Sequence, residues 1–79
     1  MLQKIGNRIK ELRINKLNMT QEDFAKVLGV DRTYLSRIES GKQNITVNTL
    51  VFICEKLGVS LSEFFISFND EMGFGKWTK

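Results

Sequence analysis

A single glycine, Gly29, lies between two short stripes of apolar residues, and it limits the fold of this chain more than any other feature. Thr20 precedes the first stripe and Asp31 precedes the second, and both residue types are good helix N-caps. Glycine is common where a helix ends, because it adopts the left-handed conformation without strain. We therefore expect two short helices, over residues 21 to 28 and 32 to 40, joined by a tight turn.

The spacing of the apolar residues indicates which face of each short helix points inward, because helical side chains three or four positions apart share a face. Phe24, Ala25 and Leu28 form the inward stripe of the first short helix. Leu35 and Ile38 form that of the second. The outward face of the second helix is polar, with two larger side chains at its N-terminal end: Thr33, Ser36, Arg37 and Ser40, then Arg32 and Tyr34.

Apolar residues at helical spacing also predict a helix before this pair. Ile5, Ile9 and Leu12 recur among charged residues and indicate an amphipathic helix over residues 3 to 16 with a basic outer face. Asn18 is expected to end it.

Two more helices are predicted after the pair. Thr46 is expected to cap a helix of about residues 47 to 57, and Gly58 to close it. Ser60 and Glu63 form a capping box for a last helix. We expect the fourth helix to be built on an inward apolar stripe of Val47, Leu50, Val51, Cys54 and Leu57. The last helix carries Leu61, Phe64, Phe65 and Phe68.

Composition agrees with an all-α chain of five helices. The 79 residues include no proline, and 42% are hydrophobic and 27% charged, which is typical of a globular domain. A chain of this length can bury one small core and has no room for a second domain. We expect one domain over residues 1 to 68 and a C-terminal tail over residues 69 to 79, loose unless it packs on a partner.

Positive charge is concentrated in the N-terminal half. The net charge is +3, and residues 1 to 42 carry nine Lys and Arg against five Asp and Glu, whereas residues 43 to 79 carry three against four. This asymmetry favours a polyanionic partner, because Lys and Arg attract a phosphate backbone. Ordinary solvated helix faces explain the same charges equally well.

The residue types that the chain lacks exclude several functions. Cys54 is the only cysteine and histidine is absent, so neither an intrachain disulfide nor a zinc site of the Cys/His type is expected. A reducing cytoplasm fits, and the longest apolar runs are too short to cross a bilayer. We expect no metal and no cofactor. An enzyme is also not expected, because no histidine base, activated cysteine, carboxylate pair or glycine-rich phosphate loop can be assembled.

A short helix with a polar outer face, placed after a capped helix and a glycine turn, can enter the major groove of DNA. Arg32 and Arg37 each carry a fork of donors that fits guanine, and a good bidentate pair contributes about 1 to 3 kcal/mol of base discrimination. Arg32 is the first candidate for a base contact. Thr33 and Ser36 are also candidates, although they and Tyr34 could instead bind phosphates or touch thymine methyls. A solvated helix face is the alternative for each residue taken singly.

Residues around two helix starts are candidates for contacts to the DNA backbone. Gln21 lies in the first turn of its helix, where free amides and the helix dipole favour a phosphate oxygen. Asn44, Thr46 and Asn48 surround the start of the fourth helix, although capping explains Thr46 equally well. The full predicted set of backbone contacts is Gln21, Tyr34, Ser40, Lys42, Gln43, Asn44, Thr46 and Asn48.

A long segment resembles the helix-turn-helix domain of the phage repressor and Cro family: TQEDFAKVLGVDRTYLSRIESGKQNITVNTLVFICEKLGVSLSEFF. The resemblance covers about residues 5 to 66 and implies a five-helix, lambda-repressor-like domain that binds double-stranded DNA. Within it, DRTYLSRIESGKQNIT is similar to the controller proteins of bacterial restriction-modification systems. As a family these are small dimers that regulate their own operon and the endonuclease gene.

The resemblance also implies roles for single residues. It assigns Gln21 to phosphate and Arg32 to bases, and it implies a partly buried, structural ion pair between Arg13 and Glu39. The link between Arg13 and Gln21 is one residue longer than usual in the family, with Asn18 near the expected glycine. The remaining residues that it places at the DNA interface are Thr33, Tyr34, Arg37, Gln43, Asn44 and Thr46.

The C-terminal part carries more aromatic and aliphatic surface than one small core can bury, which favours a homodimer. Leu61, Phe65 and Phe68 are its predicted interface. A two-fold dimer sets two recognition helices roughly 34 Å apart, which matches the half-sites of a pseudo-palindromic operator. An alternative explains these residues equally well, in which Phe64 belongs to the core and the tail stays loose.

Together these features predict a sequence-specific regulator of transcription, the controller protein of a restriction-modification system that acts as a homodimer on its own promoter. An activator of this kind could also contact RNA polymerase. The alternatives are a phage-type or antitoxin-type repressor, and a protein-interaction module that has lost DNA binding. Acidic or apolar residues on the outward face of the second short helix would indicate such an interaction module, whereas Arg32 and Arg37 stand there.

Overall fold

The described part of the chain folds into five α-helices without a strand, as the sequence predicts. The computed structural model describes residues 1–68 of the 79. The predicted tail, residues 69–79, lies outside the described residues. The helices are α1 (Leu2–Asn15), α2 (Gln21–Leu28), α3 (Arg32–Glu39), α4 (Val47–Leu57) and α5 (Leu61–Phe64).

Four of these helices begin at the N-caps that the sequence predicts. In each case the side-chain oxygen accepts a hydrogen bond from the backbone N–H three residues later, at 2.7 to 3.1 Å. The caps satisfy amide groups that have no partner inside the helix. The four capping residues are Thr20, Asp31, Thr46 and Ser60.

Gly29 forms the turn between α2 and α3. Its φ is 77°, in the left-handed region that glycine adopts without strain. Its backbone N–H donates to the carbonyl of Lys26 at 3.2 Å, and the N–H of Val30 donates to the carbonyl of Ala25 at 3.0 Å. These bonds end α2, so α3 begins almost at once at its Asp31 cap.

One core lies beneath the five helices, and α4 enters it differently from the prediction. Val47, expected inside, is 73% exposed, whereas Ile53, which the sequence analysis did not place in the core, is buried. Val47 is the first residue of α4 and stands at the start of the helix, outside the core that the following turns face. The fully buried large side chains are Ile9, Phe24, Leu35, Ile53, Leu57 and Phe64.

The backbone of α1 crosses α3 at very short range because residue 6 is glycine. A Cβ placed on Gly6 would lie 2.6 Å from the carbonyl oxygen of Glu39 and would also clash with the carbonyl of Ile38. No side chain therefore separates α1 from the last turn of α3. This close packing fixes the position of α3 relative to α1.

The link from α1 to α2 turns at Asn18, whose φ is 54°. Asparagine adopts the left-handed conformation more readily than most residues, so it can stand where the family pattern has glycine. The N–H of Met19 donates to the carbonyl of Arg13 at 3.1 Å. In return, Nη1 of Arg13 donates to the carbonyl of Met19 at 2.7 Å. These two hydrogen bonds close the longer link.

Helix α5 is shorter than the sequence analysis predicts. The apolar pattern predicts a helix that carries Phe65 and Phe68, but α5 ends at Phe64 after one turn. The backbone then continues with bonds to the third preceding residue, from Ile66 to Glu63 at 3.4 Å and from Phe68 to Phe65 at 2.9 Å. Such bonds belong to tight turns rather than to a continuing α-helix.

Arg8 of α1 explains why α5 stops. Its Nε donates to the carbonyl of Phe64 at 2.8 Å, and its Nη2 donates to the carbonyl of Glu63 at 2.9 Å. In a longer α-helix these carbonyls would accept bonds from the N–H groups four residues later. The guanidinium supplies a donor to the carbonyl of Phe64 and adds a second donor at the carbonyl of Glu63, which also accepts from the N–H of Ile66.

Candidate nucleic-acid interface

The outer face of α3 is polar and accessible. Arg32, Thr33 and Arg37 are exposed, and Ser36 is half-buried. The opposite face of the same helix enters the core. The structure thus brings the four predicted base-contact residues to one side of one helix.

Two residues predicted to contact the DNA backbone lie elsewhere, one on this helix and one directly after it. Tyr34 is half-buried and packs against the core beside the N-terminal turn. Ser40 is exposed directly after the last residue of α3, and its hydroxyl donates to the carbonyl of Arg37 at 3.2 Å. They therefore stand near opposite ends of the helix.

Arg32 is held at the start of α3 by a series of side-chain hydrogen bonds that leads into the interior. Its Nη1 donates to Oε1 of Gln21 at 3.4 Å. Nε2 of Gln21 donates to Oε1 of Glu39 at 3.0 Å. Gln21 thus bridges the first candidate for a base contact and a buried carboxylate.

Glu39 and Arg13 form the bidentate ion pair that joins α3 to α1. Nε of Arg13 lies 2.7 Å from Oε2 of Glu39, and Nη2 donates to Oε1 at 3.0 Å. The two side chains are 6% and 2% exposed. Since Nη1 of Arg13 bonds to the carbonyl of Met19, each nitrogen of the guanidinium has a partner. Arg13 and Glu39 therefore stabilise the packing of α1 against α3, and both lie beneath the surface.

Arg37 bends toward the loop that follows α3. Its Nε donates to Oε1 of Gln43 at 3.3 Å, and its Nη2 donates to the carbonyl of Lys42 at 3.0 Å. Nε2 of Gln43 in turn donates to the carbonyl of Asn44 at 3.3 Å. All of these bonds are exposed to solvent, so exchanging them for contacts to a base costs little.

Thr46 serves as the cap of α4. Its Oγ1 accepts from the N–H of Thr49 at 3.1 Å and donates to the hydroxyl of Thr49 at 3.0 Å. Capping, which the sequence left open as an alternative, is thus present in the structure. Asn44, Asn48 and Lys42 are exposed around this helix start.

A polar recess lies where α1 meets α2 and α3, and two of the residues that line it were not predicted. Asn7 and Lys10 belong to α1, three positions apart on its polar face. That spacing is visible in the sequence, but every amphipathic helix has such a face. The crossing of α1 over α3 brings this polar face of α1 beside α3. The other lining residues are Gln21, Ser36, Glu39 and Ser40.

An apolar groove of about 380 Å³ opens on another side, among α1, α4 and α5. Leu61 and Phe65, two of the residues predicted for a dimer interface, line it. Phe68 does not line it, since it is 4% exposed and lies against the rings of Phe64 and Phe65. Phe68 therefore has almost no surface to offer a partner. The other lining residues are Met1, Leu2, Ile5, Ile45, Thr46, Val47 and Leu50.

Within the part of the chain that the structure describes, neither a metal site nor an accessible thiol is present. Among residues 1–68, no group of His, Cys, Asp and Glu side chains could hold a metal ion. Cys54 is buried in the core, and this burial raises the pKa of its thiol. No helix in the same range combines the length and apolar character that a membrane crossing requires.

Comparison with known proteins agrees with the two short helices and the tight turn seen in the structure. The helix-turn-helix family matches residues 9–64. Control protein C.MunI of Mycoplasma sp is 43% identical over 68 residues, which cover 86% of this chain and 92% of that protein. Control protein C.BamHI of Bacillus amyloliquefaciens is 37% identical over 54 residues, 68% of this chain and 67% of that protein.

A solved structure agrees in fold as well as in sequence. The wild-type restriction-modification controller protein C.Esp1396I superposes with a TM-score of 0.78 and 41% identity, covering 90% of this chain and 92% of that one. The matched family region contains α2, α3 and both partners of the buried ion pair. This confirms the predicted lambda-repressor-like fold and the prediction of a DNA-binding regulator rather than an enzyme. The chain belongs to the helix-turn-helix family of DNA-binding regulators.

Proposed function

We propose that this regulator is the controller protein of a restriction-modification system and acts as a homodimer on a pseudo-palindromic operator at its own promoter. The observation that carries the proposal is the accessible polar face of α3, with Arg32 held at its start by Gln21. The similarity to C.MunI over 92% of that protein supports the controller role. The proposal includes a cytoplasmic location. For a regulator that activates transcription, it also includes contact with RNA polymerase at the promoter.

Arg32 supplies the main base contact. Its side chain is exposed, and one nitrogen bonds to Gln21, so the remaining donors are available to O6 and N7 of guanine. The bond to Gln21 restricts the side chain before DNA arrives, which reduces the entropy lost on binding. Thr33, Ser36 and Arg37 contact neighbouring base pairs, with Arg37 released from its loop partner.

The backbone contacts lie on both sides of the recognition helix. Contacts of this kind fix the register of a protein on DNA and carry no direct sequence information. Gln21 stands at the start of α2 and Asn48 in the first turn of α4, where free amides also favour phosphate. The other residues in this role are Tyr34, Ser40, Lys42, Gln43, Asn44 and Thr46.

A second copy of the chain covers the apolar groove. Val47 and Leu61 are exposed apolar side chains that line it, and a contiguous apolar patch on a soluble chain marks an interaction surface. Leu61 and Phe65 make the contact itself. Phe68 supports Phe65 from within the chain, with ring centroids 4.9 Å apart.

Selection of binding sites from random duplex DNA tests the reading of bases. The wild-type chain is expected to enrich one inverted repeat. Arg32→Ala is expected to relax one base position per half-site and to lose about 5- to 150-fold in affinity, the equivalent of 1 to 3 kcal/mol. Arg32→Lys keeps the charge but loses the fork, so it should retain the salt dependence and lose the preference. Lys56→Ala, at the far end of α4, is the control for charge. A folded wild-type chain that enriches no site rejects the proposal.

Sedimentation equilibrium tests the dimer. Val47→Glu and Leu61→Glu place a charge in the groove and are expected to yield monomers. Val27→Glu on α2 is the matched control, because Val27 is an exposed valine outside the groove. A wild-type chain that stays monomeric at high concentration contradicts the dimer.

The genomic position of the selected repeat tests the controller role. It should lie upstream of the chain's own gene and near an endonuclease gene. A repeat beside a toxin gene instead assigns the antitoxin role.

A further inference from the structure

The polar recess between α1, α2 and α3 is built largely from hydrogen-bond donors that the fold leaves unused. It has a volume of about 290 Å³ and opens beside the outer face of α3. Within residues 1–68, the side chains of Asn7, Lys10 and Ser36 form no hydrogen bond to another residue. Gln21 uses one amide hydrogen on Glu39 and retains the second.

The charge balance of the recess favours an anion. Among residues 1–68, Glu39 is the only acidic residue that lines it, and both carboxylate oxygens already accept hydrogen bonds from Arg13. Lys10 is exposed and makes no ion pair within residues 1–68. The recess therefore presents one unneutralised ammonium group, that of Lys10. The negative charge of Glu39 behind it is compensated by the buried guanidinium of Arg13.

The position of the recess is set by the close crossing at Gly6. Because no side chain separates α1 from the last turn of α3, Asn7 lies directly after the crossing point and Lys10 follows one turn later. These two side chains share the recess with Ser36, which belongs to the outer face of α3. An anion bound there would contact α1 and α3 together.

We propose that this recess binds one phosphate group of the DNA backbone and so extends the interface from the helix-turn-helix onto α1. The inference rests on the proposed function, since the phosphate is that of the operator. Lys10 supplies the charge, while Asn7 and the second amide hydrogen of Gln21 supply neutral donors, and the hydroxyl of Ser36 stays with the bases. The contact reads no base. It fixes the angle at which α3 enters the groove, because it engages a helix outside the motif.

Titrations of a selected operator duplex and a scrambled duplex of equal length, over a series of KCl concentrations, test this site. Each phosphate contact contributes about 0.9 to the slope of log affinity against log salt. Lys10→Ala is therefore expected to lower that slope by about one on both duplexes. Its affinity deficit relative to the wild type should shrink about 3.5-fold between roughly 50 and 200 mM salt. The base preference should stay unchanged.

Three further variants separate the site from a general loss of charge. Lys26→Ala removes the same charge from an exposed position in the last turn of α2, outside the recess, and is expected to keep the wild-type slope. Lys10→Arg should restore the slope. Asn7→Asp, which is close in shape, places a negative charge in the recess and should weaken both duplexes, most strongly at low salt.

Two results are decisive, and they differ from failure of the proposed function. If Lys10→Ala keeps the wild-type slope while the wild-type chain binds its operator, the phosphate site is wrong and the regulator proposal stands. If Lys10→Ala changes the preferred bases, the recess contacts bases and the inference is equally overturned. A wild-type chain that binds neither duplex removes the proposed function, and with it this site.

Discussion

Nε of Arg8 and the carbonyl oxygen of Phe64 are joined by a 2.8 Å hydrogen bond between residues 56 positions apart in the chain. The same guanidinium donates to the carbonyl of Glu63 and pairs with the exposed carboxylate of Glu11 at 3.1 Å. One side chain of α1 thus ends α5. The turn that it stabilises carries Phe65 into the apolar groove.

Arg8→Ala is expected to lower the free energy of unfolding by about 1 to 3 kcal/mol, because two backbone carbonyls lose a charged donor. Urea denaturation measures this loss. The control is Glu11→Ala, which removes only the exposed ion pair and should cost less than about 1 kcal/mol. Equal, small losses in the two variants would show that the carbonyl bonds contribute little.

Arg13→Met is expected to destabilise the chain by about 3 to 5 kcal/mol, since it leaves the buried carboxylate of Glu39 without its counter-charge. The double variant Arg13→Met/Glu39→Leu should be more stable than Arg13→Met alone, because no buried charge remains. A double-mutant cycle in denaturant measures the coupling. Losses that simply add would contradict a coupled pair. Weak DNA binding by Arg13→Met would reflect a damaged scaffold, so it would not indicate a contact to DNA.

Gly6→Ala is expected to cost about 1 to 3 kcal/mol, because its methyl group must push α1 away from α3. Gly29→Ala is the comparison. It meets no atom within 4 Å but has a φ of 77°, so its cost comes from the backbone alone. Asparagine tolerates that backbone, so Gly29→Asn should recover part of the loss, whereas Gly6→Asn should recover none. Thermal unfolding measures all four. Recovery of stability in Gly6→Asn would contradict the close crossing.

Cys54 predicts a pH dependence of stability. Burial raises the pKa of the thiol from its ordinary value of 9.0, so the unfolded chain releases this proton at lower pH than the folded one does. The neutral thiol thus favours the folded state below pH 9.0, and this contribution is lost as the pH rises through the folded pKa. Above pH 9, the unfolding free energy of the wild type should fall more steeply than that of Cys54→Ala. Parallel curves in the two proteins would contradict this assignment.

The helix starts could be predicted from the sequence because their cause is local. Thr20, Asp31, Thr46 and Ser60 each accept from an amide only three residues away, so the residue type and its position suffice. Gly29 acts through its own backbone angle. For the same reason the outward face of α3 followed from helical spacing around Leu35 and Ile38.

The remaining features depend on residues far apart in the chain, which local patterns do not connect. The end of α5 depends on Arg8, and nothing near Phe64 in the sequence indicates this. Gly6 reads as an ordinary glycine in a helix until its contact with α3 is known. The recess around Lys10 exists only because of that contact. Helical spacing predicts a buried Val47, because spacing distinguishes the faces of a helix but does not show that a first turn projects beyond the core.

Local contacts within the five described helices also have a kinetic consequence. Small helical domains rich in local contacts fold within about microseconds to milliseconds. Pairing of two chains is second order and slows as the chains become scarce. For the proposed homodimer and its proposed two-half-site operator, first occupation in a cell that has just begun to make this protein would therefore wait for enough copies to accumulate, long after each copy has folded.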